Sequence, residues 1–188
     1  MGLKLPAGCV SVRLKPTSAI YVIEMSERMQ DVTYRDLHGK VFAYRLSWPR
    51  TLWFVKFRAL DYPVVHAVRI EIPYSVARRE TPLAYFPMPN VNVLSGGMCA
   101  GCWEDHSDSI FPYDADEVMQ WVLMSVWNEG IPAQYGLVGL RDLRDWAMRS
   151  DRDSFAYKLI NVVPLSLPRM RGVPNTVDGL LTILSRGT

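Results

Sequence analysis

Residues 52–72 read LWFVKFRALDYPVVHAVRIEI, two runs of β-branched and aromatic residues separated by Asp61-Tyr62-Pro63. Such side chains favour strands because they pack well on a pleated, half-buried surface. A three-residue connection of this kind joins antiparallel neighbours, whereas parallel strands need a crossover of about a dozen residues or more. Toward the N-terminus, VSVRL (10–14), AIYVIEM (19–25) and KVFAYRL (40–46) have the same character. The turn-forming groups Asp36-Leu37-His38-Gly39 and Ser47-Trp48-Pro49 punctuate them. Residues 10–75 are therefore expected to form an antiparallel β-meander of four or five strands.

In the other direction, helix signals begin only after residue 112. Asp114 followed by Glu117 is a capping-box-like start. Val118, Trp121, Val122 and Ser125 share one face, with Leu123, Met124, Val126 and Trp127 over much of the rest, which predicts a largely buried helix. It should stop near Asn128-Glu129-Gly130, where glycine takes a left-handed cap and Pro132 cannot continue. An amphipathic helix is predicted over 139–149, with Leu140, Leu143 and Ala147 inward, and a short one around Phe155, Leu159 and Ile160. Residues 162–175, VVPLSLPRMRGVPN, hold three prolines and a glycine and cannot be one regular element. Residues 176–185 then read as a last apolar helix with Thr176 as N-cap. The expected class is α+β, a single domain over 1–188 with a meander at 10–75, an irregular segment at 81–112 and C-terminal helices at 113–188 packed on the sheet.

Half of the 188 residues are hydrophobic (49%), enough for a sizeable core. With 21 basic and 19 acidic residues there is no electrostatic reason to favour nucleic acid. Cys9, Cys99 and Cys102 are too few for the disulfide framework of a secreted mini-domain, which fits a reducing compartment. No signal peptide and no apolar window of about 18 residues is seen, and Pro6 stands where a myristoylation signal prefers Ser or Thr. A soluble, cytoplasmic protein is the expectation. Trp48, Trp53, Trp121, Trp127 and Trp146 read as core or interface aromatics, having no interleaved basic residues.

Two of the three cysteines fall in residues 87–102, PMPNVNVLSGGMCAGC. With His106 they make C-x2-C-x3-H, a spacing from which three ligands can converge on zinc. A structural site needs a fourth ligand, and only Cys9, His38, His66 or Asp105 could supply it, so no bound metal is expected. A thioredoxin-like redox pair would need a helix start, but the acidic polar stretch 103–109 follows and would raise the thiol pKa. A third reading makes both cysteines small apolar fillers beneath a loop.

Taken whole, TPLAYFPMPNVNVLSGGMCAG from Thr81 resembles the active-site segment of the ubiquitin-conjugating enzyme superfamily, in which a His-Pro-Asn turn precedes Gly-x-Ile/Val-Cys. Pro89-Asn90-Val91 and Gly96-Gly97-Met98-Cys99 match its two parts. It looks closer still to a prokaryotic branch, the B proteins of the PRTRC mobile-element system, through Thr81-Pro82-Leu83, Pro89-Asn90-Val91 and Gly97-Met98-Cys99-Ala100-Gly101. Met88 stands where the eukaryotic enzymes have histidine, and the Asn90–Cys99 interval is one residue longer than theirs.

The resemblance implies a ubiquitin-conjugating-like fold and a transferase that carries a ubiquitin-like protein as a thioester on Cys99, with an activating enzyme as partner and no cofactor, in a phage or other mobile-element system. Asn90 would supply a carboxamide donor to the oxyanion or brace the loop that does; Pro89 would fix the turn, and Gly97 would let the backbone approach the cysteine. Asp105 and His106, with Asp108, would orient or deprotonate an incoming amine. The alternative expectation is a non-catalytic interaction or assembly subunit of the same or another mixed fold.

Overall fold

Two chain segments, 18–35 and 41–58, form one long antiparallel hairpin around which everything else is arranged. This is seen in a computed structural model that describes residues 5–58, 63–92, 94–98, 114–128, 132–165, 167 and 173–186. Its strands are β1 (Cys9–Lys15), β2 (Ser18–Met25), β3 (Arg28–Arg35), β4 (Val41–Trp48), β5 (Thr51–Arg58) and β6 (Val64–Arg69). Further along come α1 (Tyr74–Ala77), α2 (Ala115–Met124), β7 (Val126–Trp127), α3 (Leu143–Arg152) and α4 (Val177–Arg186). A four-stranded sheet has the order β1-β2-β5-β6, and a second, three-stranded sheet has the order β4-β3-β7. The register runs through from one sheet to the other: Met25 faces Thr51 and Arg28 faces Trp48. The chain is thus an α+β protein whose antiparallel meander has a long middle pair that overshoots the first sheet and continues into the second.

Three expectations change here. Residues 28–35, RMQDVTYR, form a strand that the pattern of apolar runs did not show, raising the count among the described residues to six strands before α1. Ser47-Trp48-Pro49 is a joint within a continuing strand, where proline interrupts the ladder because it has no N–H to donate. Arg50 braces this joint, pairing with Glu24 at 2.6 Å and with Glu27 at 2.9 Å. β7 also adds a short parallel pairing beside β3, through Thr33–Val126 and Tyr34–Trp127.

The helices keep their predicted order with altered ends. Asp114 caps α2, accepting from Glu117 N at 3.1 Å, but the helix stops at Met124 and the chain extends into β7 instead of reaching Asn128. Its buried residues are Ala115, Val118, Met119 and Val122; Trp121 is only half-buried and Met124 is 82% exposed, so the helix is one-sided. α3 starts later than expected because Asp142 takes the cap, accepting from Asp145 N at 2.7 Å. Leu140, Leu143 and Ala147 are buried as anticipated. Residues 156–159 make one 3-10 turn that buries Ala156 and leaves Phe155 and Leu159 exposed. Thr176 caps α4 through Gly179 N at 3.3 Å.

One hydrophobic cluster runs through the molecule. Phe86 sits between Trp48, at 4.8 Å between ring centroids, and Trp53, at 6.2 Å. α3 packs against β4, and Ser47 is the fixed point of that contact. Its N–H donates to Ser150 Oγ (2.8 Å) and its carbonyl accepts from Trp146 Nε1 (3.2 Å). Its hydroxyl donates to Ser154 O (2.8 Å) and accepts from Tyr157 N (3.0 Å), so a fully buried serine leaves no main-chain or hydroxyl group unsatisfied. α4 is tied to the first sheet by Arg13–Asp178 at 2.8 Å, by Lys15 Nζ to Ser185 O at 2.5 Å and by Lys56 Nζ to Leu184 O. Among the described residues no helix is long and apolar enough to cross a membrane.

Candidate functional site

After α1 the chain returns along the outer edge of β6. Arg69 and Ala84 exchange hydrogen bonds at 2.9 and 2.8 Å, and Leu165 N bonds Leu83 O on the other side at 2.9 Å. Residues 83–86 and Met88 are buried, so the approach to the motif is part of the core. Met88, which stands where the resembling enzymes have histidine, is completely buried and contributes packing.

At Pro89-Asn90 the chain turns, with Val91 N bonding Met88 O at 3.2 Å. Proline's fixed φ suits the first turn position, and Asn90 sits at φ +63°, which a type II turn requires and which asparagine tolerates better than most residues. Asn90 is 5% exposed. A tight hairpin follows. Val91 bridges Met98, Asn92 N bonds Gly97 O at 2.9 Å, and Gly96 N bonds Asn92 O at 2.8 Å. The Asn92 side chain holds the tip by accepting from Leu94 N at 2.9 Å and Ser95 N at 3.2 Å, the local bond that makes asparagine a turn former.

The second arm of this hairpin adds to the sheet. Ala67 N donates to Gly96 O at 2.8 Å and Met98 N to Val65 O at 2.9 Å, so β6 is covered along its outer edge. Gly96 is required: at φ +68°, a Cβ would lie 2.6 Å from Val68 Cγ1 and 2.9 Å from the Ala67 carbonyl oxygen. Gly97 has an ordinary φ, and a Cβ there would sit against the His66 ring at 3.2 Å. Of the residues expected to form a site, the structure therefore places Pro89, Asn90 and Gly97 in one turn-and-hairpin unit. The positive φ that calls for glycine falls at Gly96, next to the Gly97 expected to let the backbone approach Cys99. Cys99, Cys102, Asp105, His106 and Asp108 lie outside the described residues, and Cys99 follows Met98 directly in sequence.

The zinc reading rested on Cys99, Cys102 and His106, all outside the described residues. Its distant candidates are in separate elements: Cys9 begins β1, His38 lies in the β3–β4 turn and His66 is in β6. Among the described residues no group of three His, Cys, Asp or Glu could hold a metal ion. Burial pushes the Cys9 thiol up from its ordinary value, and its sulfur lies 3.6 Å from Ser11 O, so it is an inert partner of the strand.

A second feature adjoins the hairpin. A groove of about 450 Å³ opens between the C-terminal end of β5, the start of β6, Asn92, Leu94 and Ser95 of the hairpin tip, and α4. Lys56, Arg58 and His66 contribute charged or polar groups, and Leu94, Leu180 and Leu184 are among its apolar walls. Lys56 is 2% exposed and donates to the carbonyl of Leu184 near the C-terminal end of α4, where the helix dipole is negative. Desolvation holds its pKa below the ordinary lysine value, aided by the charges of Arg58 and Lys15. His66 Nδ1 lies 3.0 Å from Ser95 O, and desolvation lowers its pKa against that hydrogen bond. Sequence reasoning missed this site. Its one signal was the pair Lys56 and Arg58, two cations on the same face of an otherwise apolar strand.

Compared with protein-family models, curated proteins and solved structures, the chain matches none of them.

Proposed function

We propose that this protein is a ubiquitin-conjugating-like carrier that holds a ubiquitin-like protein as a thioester on Cys99, within a phage or other mobile-element system. The observation that carries the reading is the Pro89-Asn90 turn, with Asn90 buried in the left-handed region, followed by a hairpin pinned to β6 up to the residue before Cys99. The finer fold assignment, a ubiquitin-conjugating-like arrangement of meander, motif and helices, belongs to the same proposal. In the reaction, the Cys99 thiolate attacks the carbonyl carbon of the activating enzyme's thioester; a new C–S bond forms and the activating enzyme's thiolate leaves. An amine later attacks the same carbon and releases Cys99, without change of oxidation state. Burial of Asn90 favours the bracing role, in which its turn fixes the hairpin that carries the oxyanion donors. Pro89 sets the turn, and Asp105 and His106 serve the incoming amine.

Complete burial of Met88 favours a second reading, because the position before Pro89 then offers packing and no titratable group: an assembly subunit that keeps the motif for structure. One assay separates the two. The protein is incubated with its candidate activating enzyme, ubiquitin-like partner and ATP, and a thiol-sensitive adduct is sought. The carrier reading expects an adduct that disappears in Cys99→Ala. No adduct with a demonstrably charged activating enzyme, or an adduct that persists in Cys99→Ala, leaves the assembly reading.

A further inference from the structure

The far end of the long hairpin offers something that neither reading uses: a strand edge left open. β4 stands at the end of the order β4-β3-β7, and its pairing with β3 runs without a bulge from Arg28–Trp48 to Arg35–Val41. In an antiparallel ladder every second residue turns its N–H and C=O away from the partner strand. Ser47 is such a residue, because its N–H donates to Ser150 Oγ and its carbonyl accepts from Trp146 Nε1, both on α3. By the same period Arg45, Ala43 and Val41 also face outward, and among the described residues nothing bonds their outward main-chain groups. All three are exposed. We infer that this edge takes an extended acidic segment of a partner protein as a further strand, giving the order partner-β4-β3-β7.

Three observations select this occupant. The first is charge. Arg35, Lys40 and Arg45 are exposed on the two strands, and exposed Arg144 of α3 stands close enough to Tyr44 for its charge to oppose the rise that burial gives the phenol pKa. The acids of this region are already engaged: Asp36 accepts from the N–H groups of His38 and Lys40, Asp142 caps α3, and Asp31 faces Arg45 at 3.8 Å. For Arg35, Lys40 and Arg144 no ion pair is found among the described residues, so an incoming carboxylate meets cations that are free to receive it. The second is the alternation of donors and acceptors along the edge. A peptide main chain brings both kinds of group, whereas a phosphodiester backbone brings acceptors alone. The third is the border of the edge. Phe42 and Tyr44, half-buried and stacked at 5.9 Å, lie on one face, and Val41 and Ala43 lie on the other, so the side chains of an added strand find neighbours on both. A second copy fits less well, because pairing β4 with itself about Ala43 doubles Arg35, Lys40 and Arg45 along one seam.

The test follows amide hydrogen exchange by NMR on the full chain, with a seven-residue acetylated and amidated peptide that alternates glutamate with valine and threonine. In the free protein the amides of Val41, Ala43 and Arg45 should exchange fast, while those of Phe42 and Tyr44, bonded to β3, are protected. Saturating peptide should slow the first three by about tenfold or more. The same peptide with lysine in place of glutamate should bind about tenfold more weakly or worse. N-methylation of one alternate set of peptide nitrogens should abolish binding and of the other set should leave it, since only one set faces β4. Ala43→Pro removes an outward N–H without breaking the ladder to β3 and should abolish the effect. Arg45→Glu, whose ion pair with Asp31 is long and exposed, should weaken the peptide by about tenfold with an unchanged melting curve, which keeps the test decisive if the proline variant unfolds. Protection of the three amides in the free protein, no saturable protection by the acidic peptide, equal binding of the lysine peptide, or equal behaviour of the two methylated sets would each overturn the assignment. So would a single-stranded oligothymidylate that protects the same amides as well as the peptide does, which points to nucleic acid, or a dimer in sedimentation with those amides protected, which points to a second copy. The edge uses no residue of the segment 89–99, so its failure leaves the carrier reading as it stands.

Discussion

The two halves of the long hairpin share one register but follow different rules. In the base, β2 and β5 bury nearly every residue, because α4 lies against one face and Phe86 and its neighbours pack on the other. In the tip, β3 and the start of β4 alternate between half-buried and exposed, and only Val32 and Tyr34 of β3 are buried. The tip is held by a one-sided ladder of rings, Phe42 and Tyr44 stacked at 5.9 Å with Tyr34 beside them, and by the Ser47 contacts to α3 at its root. Identical pairing therefore does not mean identical stability. Layers on both sides make a strand a core element; one layer makes it an appendage.

The largest expected effect separates the halves directly. Trp53→Ala in the base, where the ring is fully buried and Nε1 bonds Thr51 Oγ1, should cost about 3–5 kcal/mol in urea unfolding, against about 1 kcal/mol for Phe42→Ala in the tip. Equal losses would break the distinction. Next comes the base's outer edge. Gly96→Ala combines a left-handed backbone with a Cβ driven into Val68 and the Ala67 carbonyl, and should cost about 2–4 kcal/mol. Hydrogen exchange at Ala67 N should speed up ahead of the rest of the base; an unaltered rate there would mean that the hairpin is not what closes β6.

A smaller effect is expected at the joint. Arg50→Gln leaves Glu24 and Glu27 without their shared cation, a loss of about 1–2 kcal/mol given their partial exposure. If the joint couples the halves, amides of the tip should exchange faster while those of β2 and β5 change little. Uniform acceleration would instead make the hairpin a single cooperative unit.

The smallest effect is a difference in acid sensitivity. His66, at the base, is held below its ordinary value mainly by desolvation, so its contribution is complete above about pH 6.5 and is lost as pH falls through the folded-state value. Asp145, in the helix behind the tip, is held below its ordinary value first by the Arg141 backbone N–H and then by Arg149, so its contribution is lost only below about pH 4. Stability measured against pH should therefore decline in two steps, and His66→Asn should remove the upper one alone. A decline that begins only near pH 4 in the unsubstituted protein would contradict the His66 environment.

The same contrast explains what could be read from the residues. β2 and β5 were legible because two-sided burial leaves continuous apolar runs, AIYVIEM and LWFVKFRAL. β3 was not, because a strand packed on one side, with Arg28, Asp31 and Arg35 exposed, has too few apolar positions to stand out. Pro49 looked like a turn because a missing N–H reads the same whether the chain reverses or merely bends. The caps at Asp114 and Thr176 were visible because they are local. Likewise the Pro89-Asn90 turn is encoded by two adjacent residues, while the groove draws its walls from Lys56 and Arg58 of β5, Val64 and His66 of β6, the hairpin tip and α4, a convergence that no local pattern announces.

The attachment of α4 also sets an order of events during folding. Lys56 and the carbonyl it holds are 128 residues apart in sequence, and the Arg13–Asp178 and Lys15–Ser185 contacts span 165 and 170. The meander can form from nearby pairings, whereas contacts this distant carry a loop-closure cost and slow the final step. Until residues 177–186 dock, the sheet face bearing Phe54 and Val22 lacks its cover, so a chain that has formed the meander alone exposes an apolar surface. Aggregation during synthesis, and any need for a chaperone, should depend on how quickly that one helix docks.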